Sequence, residues 1–339
     1  MSAAVTLERI RSLAIPPAWT DVWISPHPNG HLQALGTDQA GRRQYLYHPE
    51  WRTRRDQQKW ERMLEFAEAL PQLRERVTAD LAAGHGPTRE RVLACAVRLL
   101  DRGLFRIGSE QYTEANESFG LATVRCSHVQ LGDGGVMFDY PAKHGIQRVQ
   151  RILDDDVVEL VRELTAGRRT DRELLAWRER PRSRWVDVRS QDINDYLKAA
   201  SGGEFSAKDF RSWHGTVLCS VALAVTAQAD RLRGDGPSGR AMTAPTKRKV
   251  ARAVAEVSHY LGNTPAVCRA SYIDPRVIDR YLAGATIAPA MHALSGLADV
   301  EPPDAQLTIE AAVVELLAGR TERTIRAAVE RTLELAHAT

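Results

Sequence analysis

The 339-residue chain has few cysteines, few lysines and no long apolar run. Its four cysteines lie far apart without a C-x-x-C pair, which argues against a zinc site and predicts reduced thiols. No apolar run approaches the roughly 20 residues that a membrane span requires. The amino terminus is a polar, amphipathic stretch and not a signal peptide. We therefore expect a cytoplasmic protein that contacts no membrane and holds no structural metal.

Only six of the 46 basic residues are lysines, so the positive charge is carried mainly by arginine. Arginine is the better bidentate ligand for phosphate. The formal net charge of +3 is small and by itself says little about nucleic acid. The chain has no glycine-rich phosphate loop, internal repeat or low-complexity tract. Its length and its 43% hydrophobic content fit a globular protein of two domains.

Residues 16–50 have the alternation and turn signals of a small antiparallel sheet. Asn29-Gly30 is a strong hairpin signal. Three short strands are predicted, at Val22–Ile24, His31–Leu35 and Gln44–Tyr47. A basic helix follows over 49–82, and the glycine- and proline-rich segment 84–87 is the best domain boundary. The sequence thus predicts a small β-rich amino-terminal domain, residues 1–83.

The sequence does not decide whether Tyr45 and Tyr47 are buried or exposed. The two tyrosines fit a packed face of the sheet. Their polar neighbours Arg42, Arg43 and Gln44 also suit a surface that binds a DNA groove.

Residues 84–339 are predicted to form a mainly helical domain with a small antiparallel sheet. A helix over Thr88–Gly103 has a clear helical period. Strands are predicted at Leu121–Val124, His128–Leu131 and Val136–Tyr140, and from about Asp154 onward the pattern is helical nearly to the end. Gly234–Lys249 is glycine- and serine-rich and is predicted to be a linker. The fold class is therefore α+β.

One stretch near the carboxyl terminus suggests a site. A helix is expected to end at Leu261-Gly262, and Asn263 and Thr264 precede a proline that suits a new helix. Tyr272 comes ten residues after Gly262, so that Asn263 and Tyr272 could face one site. A phenol ionises near pH ~10 and needs cations beside it to attack at neutral pH. Taken alone, such a tyrosine is more often a half-buried core residue.

Four cations elsewhere in the chain qualify as partners. Arg106 lies in an apolar stretch, where an arginine is rarely unpaired; it meets either an anion or a carboxylate of the fold. Lys143 lies at a predicted β turn, and Lys208 and Arg211 lie one turn apart at a helix start. The ordinary interpretation of these last three is a solvated surface.

The order of these segments resembles the type IB DNA topoisomerases, in particular the small bacterial branch that is similar to the poxvirus enzymes. The likeness covers nearly the whole chain. It rests on Leu104–Gly108, the lysine turn, Lys208–Arg211, Leu261–Pro265 and the downstream tyrosine. The amino-terminal stretches Ile15–Trp19, Asp21–Ile24, Asn29–Ala34 and Gly41–Tyr45 extend it.

The resemblance implies a mechanism. Tyr272 would attack a DNA phosphodiester and form a 3′-phosphotyrosyl link, and the released 5′-hydroxyl would later reverse the step. Arg106 and Arg211 would bind the non-bridging oxygens, Asn263 would donate a hydrogen bond to one of them, and Lys143 would protonate the leaving oxygen. Neither ATP nor a metal or other cofactor is implied. The partner is double-stranded DNA, which a monomeric clamp would surround.

The resemblance also implies contacts with DNA outside the catalytic set. These residues are Arg42, Gln44, Tyr45, Tyr47, Tyr112 and Lys208. The chain departs from the poxvirus pattern at two places. Asn263 stands where histidine is common, which excludes proton transfer there, and Ser109–Gln111 replace a lysine-rich segment before Tyr112, which leaves sequence preference undetermined.

Two alternatives remain from the sequence. A tyrosine recombinase shares the catalytic constellation, although recombinases usually have His-x-x-Arg where this chain has Lys208–Arg211, and a helical amino-terminal domain. A non-catalytic DNA-binding protein would leave the arginines, the lysine and the tyrosine without a purpose.

Overall fold

The structure, a computed structural model, describes residues 3–111, 113, 117–132, 134–234, 246–295 and 302–337. Helices predominate and the sheets are small and antiparallel, which confirms the predicted α+β class. The chain divides into two compact units, residues 1–62 and 63–339. No helix in the described ranges is both long and apolar enough to cross a membrane.

The first unit contains a short helix and a three-stranded antiparallel sheet. Helix α1 (Ala3–Ser12) precedes strands β1 (Thr20–Ile24), β2 (Leu32–Thr37) and β3 (Arg43–Tyr47), which lie in the order β1-β2-β3. All three strands confirm the sequence prediction. Alternate residues of β3 are exposed, as expected of a strand with one solvent face.

Helix α2 (Pro49–Ala82) confirms the predicted helix and continues from the first unit into the second. From Met63 onward its apolar side chains are buried, and Phe66 packs edge-on against Phe210 with ring centroids 4.9 Å apart. The units therefore divide inside this helix, because its second half belongs to the larger core. A functional division at residues 83 and 84 stays a prediction.

The second unit contains most of the helices and two small sheets. The helices that lie before the linker are α3 (Arg89–Gly103), α4 (Asp155–Thr165), α5 (Ser190–Ser201) and α6 (Ala207–Gly234). Those after it are α7 (Lys247–Leu261), α8 (Pro265–Ser271), α9 (Pro275–Leu282), α10 (Ala288–Ser295), α11 (Pro302–Leu317) and α12 (Glu322–His337). The strands are β4 (Val129–Gly132), β5 (Gly135–Pro141) and β6 (Gln147–Ile152) in one antiparallel sheet, and β7 (Ala176–Trp177) and β8 (Val186–Asp187) in another.

Three local predictions were wrong. The stretch after about Asp154 was predicted to be helical nearly to the end, but it contains the paired strands β7 and β8. The predicted strand at Leu121–Val124 is a buried 3-10 turn at Leu121–Thr123, because its amide groups donate to Arg106 O and Ile107 O instead of a strand ladder. The predicted linker ends earlier than Lys249: α7 begins at Lys247, where the Thr246 side chain caps the helix by accepting from the Lys249 amide. Linker residues 235–245 lie outside the described residues.

A buried charged cluster joins α2, α3 and α11. Arg74 Nε lies 2.8 Å from Asp101 Oδ2, and Arg74 Nη1 lies 2.6 Å from Glu310 Oε2. Burial alone would raise the pKa of Asp101, but contacts with His214 and Arg74 outweigh it and hold that pKa well below its usual range. The cluster fixes the carboxyl-terminal end of α3, from which the chain enters the site.

Candidate active site

The carboxyl-terminal end of α7 is the centre of the site. The last carbonyls of a helix have no intrahelical partner and carry a negative partial charge, so they attract cations. Three consecutive carbonyls accept hydrogen bonds from three arginines: Tyr260 O from Arg148 at 2.7 Å, Leu261 O from Arg211 at 2.7 Å, and Gly262 O from Arg106 at 2.5 Å. One helix end thus gathers guanidinium groups from three separate elements.

Gly262 makes this gathering possible. It caps α7 in the left-handed conformation, with φ at 62°, which favours glycine. A Cβ atom here would lie 3.2 Å from Arg148 Nη1 and 3.5 Å from Arg106 Nη1. The predicted helix stop is therefore confirmed, and the missing side chain leaves room for two guanidinium groups.

Arg106 is paired with Asn263. Its Nη2 donates to Asn263 Oδ1 at 2.7 Å, which leaves the amide nitrogen Nδ2 of Asn263 as the free end of that side chain. Nδ2 is buried and has no hydrogen-bond partner in the described part of the chain. An unpaired buried donor costs free energy unless a ligand accepts from it. The two acceptors of Arg106 Nη2, Gly262 O and Asn263 Oδ1, are neutral oxygens. An anion or a carboxylate as a partner of Arg106 stays a prediction.

Arg211 is buried in the first turns of α6. Its side chain donates to Leu104 O and Leu261 O, both at 2.7 Å, while its Nε atom is buried without a hydrogen-bond partner among the described residues. Burial and then the nearby Arg106 lower the pKa of Arg211 to about 10. The guanidinium is therefore still protonated at neutral pH.

Tyr272 lies at the carboxyl-terminal cap of α8, and the guanidinium carbon of Arg211 lies 5.1 Å from its ring centroid. The Thr264 side chain caps the start of α8, as the sequence predicts for this segment. The Asp274 amide, two residues after the tyrosine, donates to Thr216 Oγ1 at 3.1 Å. The backbone is thus held before Tyr272 by helix α8 and after it by the Asp274 hydrogen bond. The half-buried Tyr272 ring lies beside the Arg211 guanidinium.

Gly215 sets the distance between α6 and the tyrosine. A Cβ atom at Gly215 would lie 2.6 Å from Tyr272 O and 3.2 Å from Tyr272 Cβ. We expect Gly215→Ala to displace the tyrosine backbone and to slow single-turnover DNA cleavage by about 10- to 100-fold, because a shift of about 1 Å costs that much. Gly132→Ala is the matched control, since a Cβ there meets no atom within 4 Å. Equal cleavage rates in the two variants would contradict this account.

Lys143 lies on a different element from the other predicted catalytic residues. It is exposed in the 3-10 turn Lys143–Gly145, which joins β5 to β6 and confirms the predicted turn. The structure therefore gathers Arg106, Arg211, Asn263 and Tyr272 at one helix end and leaves the lysine on a hairpin.

The sequence did not indicate Arg148, which binds the same helix end. Nothing in its local pattern distinguishes it from Arg151 on the same strand. Its partner, Tyr260 O, is 112 residues away in the chain, so only the fold reveals the contact.

The residues predicted to bind DNA differ in their surroundings. Tyr45 and Tyr47 are 49% and 42% exposed, and their rings stack with centroids 6.2 Å apart, so they do not form a packed face. Arg42 and Gln44 both contact Asp38, and Arg42 lowers the pKa of that carboxylate to about 2.

Two further predicted contacts remain. Lys208 is exposed in the first turn of α6. Tyr112 lies outside the described residues. Among the residues that are described, no group of three or more His, Cys, Asp and Glu side chains is arranged to hold a metal ion.

Comparison with known proteins identifies the family. Residues 48–283 match the model of the eukaryotic DNA topoisomerase I catalytic core, and residues 1–38 match the amino-terminal domain of bacterial DNA topoisomerase IB. A DNA topoisomerase 1B of Acanthamoeba polyphaga mimivirus is 28% identical over 280 residues, which cover 81% of this chain and 80% of the relative. The stretch matching the catalytic core includes all five predicted catalytic positions.

The chain therefore belongs to the type IB DNA topoisomerase family. This membership makes it an isomerase that acts on DNA, and its amino-terminal match is to the bacterial branch.

Proposed function

We propose that this protein relaxes positive and negative supercoils by cutting and resealing one DNA strand through Tyr272. The observation that carries the proposal is that Arg106, Arg211 and Asn263 lie together at the end of α7, with Arg211 beside the Tyr272 ring. This arrangement combines a phenol, two cations that prefer phosphate oxygens, and a buried amide donor that has no hydrogen-bond partner among the described residues.

In the proposed cleavage step, the Tyr272 oxygen bonds to phosphorus as the bond from phosphorus to the 5′-oxygen breaks. The phenol proton leaves to solvent, and Lys143 gives a proton to the departing 5′-oxygen. The duplex then rotates about the intact strand. The 5′-hydroxyl attacks phosphorus and returns its proton to Lys143, and the bond from phosphorus to the Tyr272 oxygen breaks, which restores the original phosphodiester. The link preserves the energy of the phosphodiester, so the cycle needs neither ATP nor a metal ion.

The arginines and the amide act on the charge that develops at phosphorus. Arg106 and Arg211 each bind a non-bridging oxygen, and Asn263 donates from Nδ2. Such donors, already fixed in a water-poor site, need little reorganisation during the reaction. Arg211 also lies against the phenol, where it stabilises the negative charge of the attacking oxygen.

We further propose that the protein is a cytoplasmic monomer that closes around duplex DNA as a clamp. Residues 1–83 would form the DNA-binding domain, with the exposed Tyr45 and Tyr47 and the Arg42–Gln44 region on DNA, and residues 84–339 the catalytic domain. Lys208 and Tyr112 would add contacts with the backbone. Binding should weaken steeply with salt, because phosphate contacts release counterions.

A tyrosine recombinase is the second candidate. It would use the same tyrosine chemistry, but it would exchange strands between two recognition sites. The family membership and the β-rich amino-terminal unit favour the topoisomerase.

Plasmid relaxation tests the proposal. We expect the native protein to relax both positively and negatively supercoiled plasmid in EDTA without ATP. Strand exchange between paired sites without relaxation of a single plasmid would favour the recombinase. DNA binding with neither activity would contradict both.

A further inference from the structure

Arg148 connects the lysine hairpin to the arginine site. It lies on β6, five residues after Lys143, and its Nη1 donates to Tyr260 O at the end of α7. The next two carbonyls of that helix end hold Arg211 and Arg106. One guanidinium therefore anchors the hairpin to the peptide units that position the phosphate-binding arginines.

The hairpin formed by β5 and β6 connects Arg148 to Lys143, which lies in the turn between the two strands. The Ala142 amide donates to Ile146 O at 2.8 Å, which closes the turn that carries the lysine. Directly below the turn, Tyr140 of β5 pairs with Arg148 of β6. Antiparallel pairing fixes neighbouring residues relative to one another, so displacement at Arg148 moves the turn.

Arg148 forms no ion pair with any of the described residues. Within the part of the chain that the structure describes, it donates to Tyr260 O and interacts with the Tyr140 hydroxyl, and no carboxylate pairs with it. It instead approaches a like charge, Arg106, since a Cβ atom at Gly262 would lie within 3.5 Å of both guanidinium groups. Such repulsion is tolerated where a helix end supplies negative partial charge.

We propose that Arg148 is a positioning residue for Lys143, which sets the lysine turn against the scissile phosphate through the Tyr260 carbonyl. This inference rests on the proposed function, in which Lys143 protonates the leaving 5′-oxygen. Its effect should appear in the departure of that oxygen and not in the binding of the non-bridging oxygens.

A change of leaving group separates these two roles. We expect Arg148→Ala to slow single-turnover cleavage of ordinary duplex DNA by about 30-fold, the scale of a misplaced catalytic group. On DNA with sulfur in place of the scissile 5′-oxygen, a thiolate leaves without protonation, because its pKa lies near about 8.5. On this sulfur substrate, the cleavage rate of Arg148→Ala should lie within about threefold of the native rate.

Control variants complete the design. Arg151→Ala removes one guanidinium from the opposite face of β6 and should leave cleavage unchanged, apart from the salt dependence of binding. Arg148→Met keeps the long side chain without its donors and serves if the alanine variant does not fold. Arg148→Lys keeps one donor for the carbonyl and should recover part of the rate.

Two results would overturn the inference. A defect of equal size on the sulfur substrate would mean that Arg148 acts on the phosphate itself. Cleavage of ordinary DNA at the native rate by both Arg148→Ala and Arg148→Met would remove its role. A different result would show that the proposed general acid is wrong: a Lys143→Ala variant that cleaves the sulfur substrate as slowly as ordinary DNA. This measurement on Lys143 distinguishes failure of the proposed function from failure of the Arg148 inference.

Discussion

Tyr272→Phe is expected to abolish DNA cleavage. The change removes only the hydroxyl and keeps the ring that packs near Arg211, so the site should otherwise be unaltered. Loss of a nucleophile lowers the rate by about 10⁵-fold or more. The measurement is single-turnover cleavage of a nicked or shortened duplex, from which the released strand dissociates, with the covalent adduct trapped by detergent.

A second tyrosine provides the control for this variant. Tyr196 is half-buried, and its hydroxyl donates to Asp80 at 2.8 Å. Tyr196→Phe should cost about 1 kcal/mol of unfolding free energy through that hydrogen bond and should leave cleavage unchanged. Covalent adduct in Tyr272→Phe at a rate near the native one would refute the nucleophile assignment.

Arg211→Ala is expected to have the second largest effect. The guanidinium is only 4% exposed, donates to two carbonyls, and keeps a buried Nε without a partner in the described chain. An arginine that stabilises a phosphoryl transition state contributes about 10³- to 10⁵-fold to the rate. We expect a loss of cleavage in this range, with DNA affinity within about threefold of the native value.

Arg211→Lys tests whether the shape of the guanidinium matters as well as its charge. Lysine keeps the positive charge but lacks the planar fork that binds two acceptors. We expect its cleavage rate to lie between those of the native protein and the alanine variant. Thermal unfolding of each variant checks the fold, and a loss of less than about tenfold in folded Arg211→Ala would contradict the proposed role.

The pH response of the site should follow from burial of Arg211. Burial and Arg106 lower the pKa of Arg211 to about 10, so its charge is fully present at neutral pH and is lost as the pH rises through that value. Electrostatic support for the phosphate should therefore persist across the neutral range and weaken only at strongly alkaline pH.

Residue preferences at helix ends predicted much of the secondary structure that surrounds the site. Gly262 ends α7 in the left-handed conformation, and Thr264 caps α8, as residue preferences indicate. Helix α3 begins after the capping Thr88 and ends at Gly103, as predicted. These features depend on interactions within a few residues, which a sequence displays directly.

Long-range contacts limited the rest of the prediction. The four residues Leu121–Val124, three of them apolar, fit a buried strand as well as a buried turn, and their hydrogen bonds to Arg106 O and Ile107 O decided the outcome. Arg148 was missed for the same reason. Proximity of Arg106, Arg211, Asn263 and Tyr272 is a property of the fold, whereas their catalytic roles stay predictions.

The most direct measurement of the central claim is to locate the DNA on the protein. Trypsin should release residues 270–276, a peptide with a single tyrosine, because arginines stand at 269 and 276. The account predicts that mass spectrometry of the trapped adduct finds this peptide joined through Tyr272 to a 3′-phosphate, with a free 5′-hydroxyl on the released strand. A nucleotide on any other peptide, or a 5′-phosphate link, would contradict it.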